Sequence, residues 1–172
     1  VYELITEANF KTAVNLWFTD EANATVTYGH ISDWNVSEVV DMSDSFKSRS
    51  TFNEDISNWD VSKVNSMRDM FHGATAFNQP IGKWDISSVT GMGHMLRSAT
   101  SFNYDIGDWN TSKVTDMRFV LRNVVSFNQD ISRWDTSNVT RMDGFFMENN
   151  SLSSINKGLI HQTFSTNSNW PY

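Results

Sequence analysis

Cysteine is absent from this 172-residue chain. Its absence excludes disulfides, cysteine-ligated zinc and thiol catalysis, and leaves the cellular compartment open. Basic charge is in short supply. Thirteen Lys and Arg face twenty Asp and Glu, for a net charge of −7. Phosphate binding needs clustered Lys and Arg, so nucleic acid and anionic membrane surfaces are poor partners. No apolar run approaches the roughly 18 residues that a membrane-spanning helix requires, so no membrane insertion is expected. No signal peptide is visible, and the opening VYELITEANF reads as the start of a trimmed fragment or mature domain. Catalytic signatures are missing too. There is no H-x-x-x-H pair, no G-x-S-x-G elbow, no glycine-rich phosphate loop and no D-x-D-x-D-G loop. The expectation is a non-enzyme without cofactor or metal. Calcium on oxygen ligands is the one ion the acidic residues bring to mind.

What the chain does have is one phrase, repeated. FNEDISNWDVSKVNSMRDMF, at residues 52–71, returns 25 residues later as FNQPIGKWDISSVTGMGHML. Trp34, Trp59, Trp84, Trp109 and Trp134 keep the same spacing. So do Ile31 to Ile131, Val39 to Val139 and Met42 to Met142. A fixed period in this range signals stacked units, each burying its apolar side only against its neighbours.

The spacing within a unit predicts its shape. Ile56, Trp59, Val61 and Val64 follow I-x-x-W-x-V-x-x-V, with polar residues alternating, as a short half-buried strand would. Val64, Met67, Phe71 and Ala74 then recur at helical spacing, and Ser62 stands ready as an N-cap. The expected fold class is therefore α/β. It is a right-handed, LRR-like solenoid of five 25-residue strand–helix coils with a narrow parallel sheet and helical caps. In that reading one domain divides into an N-terminal helical cap at 1–27, five coils at 28–152 and a C-terminal cap at 153–172.

The phrase FNQDISRWDTSNVTRM and its sisters also resemble the repeats of BspA-like surface proteins, leucine-rich-repeat relatives of mycoplasma-lipoprotein type. The resemblance covers residues 28–152. It implies an extracellular or cell-surface location and a role in adhesion or protein binding, and it brings no catalytic residues. Pro80 stands where Asp is usual, and Leu96 and Leu121 stand where Phe is usual.

Repeated residues are expected to be scaffold. The Trp column should fill the interior, each indole N–H finding an internal acceptor. The Asn column, Asn53, Asn78, Asn103 and Asn128, should satisfy turn backbone as a ladder. Function should sit in outward positions that vary between coils. The strand and turn segments hold nine acidic residues against two basic ones, while the expected helices hold nine basic against seven acidic. The expected binding surface is the sheet face, at Asn58, Asp60, Lys83, Asp85, Asp108, Asn110, Arg133 and Asp135. Its expected partner is a protein or glycan, with cationic character the acidic residues would favour, met by a monomeric domain. Two other readings stand beside it: a structural spacer within a larger surface protein, and a carbohydrate-active enzyme. For the Asp column the competing role is local turn capping. Three residues depart from their columns, His94, Phe119 and Tyr104, and the sequence names no partner for them.

Overall fold

A computed structural model describes residues 1–146, 148 and 151–172. Residues 147, 149 and 150, inside the last expected coil, lie outside the described residues. Among the described residues three α-helices form, all towards the ends: α1 (Phe10–Thr19), α2 (Glu21–Tyr28) and α3 (Ser154–Phe164), and two single 3-10 turns lie within the copies, at Ile31–Asp33 and Ile81–Lys83. α1 buries Phe10, Ala13, Val14 and Trp17 against the first copy of the phrase. The Asp20 side chain accepts the Asn23 N–H and caps α2. Ser153 caps α3 in the same way through the Asn156 N–H. α3 turns Ile160 and Phe164 inward, and Trp170 closes over Phe164 at 5.1 Å between ring centres.

Between the ends the expected architecture does not form. Among the described residues there is no β-strand, only isolated parallel bridges joining Asp41, Ser66, Gly91, Asp116 and Arg141 in succession. Nor, among the described residues, is there a parallel sheet or an α-helix within the copies. The strand–helix unit, and with it the leucine-rich-repeat solenoid, is overturned. In its place stands a run of tight turns, copy upon copy.

The backbone accounting explains how apolar spacing suggested a helix. In the second copy, the N–H groups of Met67, Asp69, Phe71 and Gly73 donate to Gly91, Gly93, Met95 and Arg97 in the next copy, at 2.8 to 3.0 Å. The intervening Met70, His72 and Ala74 N–H groups close local turns onto Met67, Asp69 and Phe71. Half the donors therefore serve the neighbour and half serve the turn, so buried backbone is satisfied without helix or sheet. The turns bury Met67, Met70, Phe71 and Ala74. That is a helical spacing produced by a different path.

What breaks the helix is a left-handed residue every fourth position. Asp44, Asp69, His94, Phe119 and Gly144 have φ between 54° and 62°, as do Ser48, Ser98 and Asn123 in the companion column. Asp, Asn and His tolerate this region better than other residues, and Gly tolerates it freely. An α-helix cannot contain them.

The interior does stack by columns. The five repeated Trp side chains are between 1% and 4% exposed. Indole N–H groups donate one copy back: Trp59 to the Ile31 carbonyl at 3.0 Å, Trp84 to Ile56 at 3.2 Å, Trp109 to Ile81 at 3.1 Å and Trp134 to Ile106 at 2.9 Å. Phe52, Phe77, Phe102 and Phe127 lie in parallel, 5.9 to 6.2 Å apart. Each Asn side-chain oxygen of the ladder accepts the backbone N–H 25 residues on, from Asn53 through Asn128 to the Ser153 N–H, at 2.8 to 3.0 Å.

Candidate functional site

All eight residues of the expected binding surface are exposed. With no sheet present, they lie on a surface of turns rather than a sheet face. Asp60, Asp85, Asn110 and Asp135 form one uniform column. Each side-chain oxygen accepts the N–H of the serine two residues on, at 2.8 to 3.2 Å. These are Asx turns, which hold the chain reversal in place. Ser62 is thus the partner of such a turn and not a helix cap. The second column, Asn58, Lys83, Asp108 and Arg133, varies more. Arg133 pairs with Asp108 at 3.1 Å. Lys83 edges a shallow depression with Pro80, Gly82, Tyr104, Asp105 and Asp108.

The opposite kind of surface forms along a second ladder, the backbone N–H to carbonyl bonds that join each copy to the next through the left-handed column. The left-handed column reads Asp44, Asp69, His94, Phe119, Gly144, so its chemistry changes at nearly every copy. Backbone bonds fix the positions of these side chains. The Asp69 N–H donates to the Gly93 carbonyl, the His94 N–H to Arg118 and the Phe119 N–H to Asp143, at 2.7 to 3.0 Å. Two of the three residues that depart from the sequence pattern, His94 and Phe119, therefore meet, while Tyr104 lies elsewhere, in the depression beside Lys83. The His94 ring lies 5.0 Å from Phe119 and 6.1 Å from His72.

Asp69 is 7% exposed and pairs with the His72 Nδ1 at 2.7 Å. Lys47 and Arg68 approach its carboxylate at 3.4 Å each. Burial pushes the Asp69 carboxyl up, but the His72 bond and the Lys47 and His94 charges more than offset it, holding the acid below its usual range. Burial holds the His94 imidazole below its ordinary value, against the pull of Asp69.

Phe119 is the one bulky aromatic in the left-handed region among the described residues. That backbone costs on the order of 1 kcal/mol or more for a residue with a Cβ. Two guanidinium groups approach the ring, Arg97 at 5.8 Å and Arg122 at 5.5 Å from its centre. It also covers Gly144, where an added Cβ would come within 2.2 Å of the ring. Arg118 holds Asp116 in a bidentate pair at 2.8 and 2.9 Å, and Arg122 pairs with Glu148 at 3.1 Å.

The sequence carried one signal for this site. His94 and Phe119 are one period apart and share a column with Asp69.

No curated protein and no solved structure matches the chain. A family match does cover nearly all of it, over residues 12–123 and 103–167. By that match the chain belongs to the family described as "Mycoplasma protein of unknown function, DUF285".

Proposed function

We propose that the chain is a non-enzymatic recognition module of a BspA-like surface protein, acting outside the cell or at its surface, and that it binds a protein or glycan partner through the ladder face around Phe119. The observation that carries this reading is Phe119 itself. A large aromatic ring, half-buried, occupies a backbone position that disfavours it, with Arg97 and Arg122 beside it. Aromatic and Arg side chains are the residues that dominate recognition surfaces. Around it the side chains differ from copy to copy, whereas the interior and the Asx columns repeat. Discrimination between partners requires the former.

A second reading, a spacer within a larger surface protein, is favoured by the uniform Asx column at Asp60, Asp85 and Asp135, whose oxygens are already committed to backbone. A third reading places the contact on a second surface, through Asn58, Lys83, Asp108 and Arg133, a varied column with no such backbone commitment.

One experiment separates them. The chain is tested on a glycan array and against a panel of extracellular and cell-surface proteins. A first variant combines Phe119→Asn, Arg97→Gln and Arg122→Gln. A second reverses charge at Asp60, Asp85 and Asp135, and a third carries Lys83→Glu with Arg133→Glu. The expected result is a partner kept by the wild type and the last two variants but lost by the first. Loss in the third variant alone moves the contact to the turn surface. No partner for any form supports the spacer.

A further inference from the structure

We infer that Asp69, His72 and His94 form a binding site for a divalent transition-metal ion of the zinc class. The three side chains each offer a ligand atom, all within 4.8 Å of one another. Two imidazoles and one carboxylate suit a borderline-soft ion, as in three-ligand zinc sites that keep a position open. They do not suit calcium, which takes six to eight oxygens. Ligands at about 2.0–2.1 Å in tetrahedral arrangement stand roughly 3.3 Å apart, so the widest pair must draw in by about an ångström and a half. A side-chain rotation of either imidazole can supply that, since both rings are only partly buried.

The backbone beneath is built to hold them. Asp69 and His94 occupy the same left-handed position in successive copies, and His72 closes the turn that Asp69 opens. Each position is fixed by its own hydrogen bond, from Asp69 to Gly93, His72 to Asp69 and His94 to Arg118. Such preorganisation removes most of the ordering cost of ligation.

Two cations stand near the carboxylate, Lys47 and Arg68. Both are 3.4 Å away, longer than a good hydrogen bond, and their side chains are 42% and 58% exposed. The carboxylate is buried, but both cationic side chains reach solvent, so both can swing outward when an ion takes their place beside Asp69. Arg97, at 3.4 Å from the His94 Nδ1, has the same freedom to move aside, towards Phe119.

The test uses the full chain stripped of metal by a chelator, then titrated with Zn²⁺ alone, with Ca²⁺ as a control. Calorimetry and thermal unfolding are the readouts, and no partner is needed. The expected result is one Zn²⁺ per chain, a raised melting temperature and no response to Ca²⁺. His94→Asn keeps a residue that tolerates the left-handed backbone, and His72→Gln lies on ordinary backbone, so each should fold. Each variant is expected to weaken Zn²⁺ binding by at least tenfold, on the scale of lost ligand support. No saturable uptake by the wild type, or uptake unchanged in both folded variants, would overturn the site.

Discussion

Trp84 shows how much one side chain holds. Its indole fills the interior and its N–H reaches back to the Ile56 carbonyl, which also takes the Trp59 backbone N–H. Each interior carbonyl of this kind thus ties a local turn to the following copy. Trp84→Phe removes the second tie but leaves the first, so the carbonyl is not orphaned. The expected cost is about 1 kcal/mol for the lost bond, with roughly another 1 kcal/mol for the space left behind. A lower urea midpoint with an unchanged slope is the measurement. A slope change would mean that the copies no longer unfold together.

The ladder couples Phe119 to Gly144 at the scale of the turn element. Gly144 has φ of 60°, and its missing Cβ leaves room for the Phe119 ring. Gly144→Ala therefore carries two penalties. The left-handed alanine costs about 1 kcal/mol, and the ring must leave its seat. Beside Phe119→Asn only the first penalty remains. A double-mutant cycle by chemical denaturation should show a coupling of at least about 0.5 kcal/mol, as contacting residues give. The same element shows why the sequence was only partly readable. The Trp, Phe and Asn columns were legible because burial and the Asn ladder depend on period alone. The path between them was not. Met67, Met70, Phe71 and Ala74 satisfy helical spacing, and only the φ of Asp69 and Gly73 distinguishes a helix from turns. Asp69 is not a strong enough left-handed signal by itself. His94 is no stronger, and Phe119 at that position gives none. The candidate site inherited that blindness, since His94 and Phe119 looked like unrelated oddities until the turns placed one above the other.

For the whole molecule, acid is the expected weakness. Ser62 and Ser87 hold the carboxyls of Asp60 and Asp85 below their usual value, through the hydroxyl first and the N–H second. The Ser132 and Ser137 N–H groups do the same for Asp130 and Asp135, with the hydroxyls second. A carboxyl lowered in the folded state binds fewer protons there than in the unfolded chain. Its stabilisation is then present above about pH 4 and is lost as pH falls through the folded values. Melting temperature measured from pH 7 to pH 2 should stay level from this source down to about pH 4.5, then fall. A flat profile to pH 2 would show that the Asx turns persist with neutral acids.

Hydrogen bonds that skip 25 residues, such as Asn103 N–H to Asn78, also make chain length a quantised property. Loss of a single amino acid inside one copy would set every bond that spans the lost residue out of register. Loss or duplication of a whole phrase restores every pairing. Recombination between copies is thus tolerated where a small deletion is not, and the inserted phrase can bring a new occupant to the left-handed column without disturbing the rest.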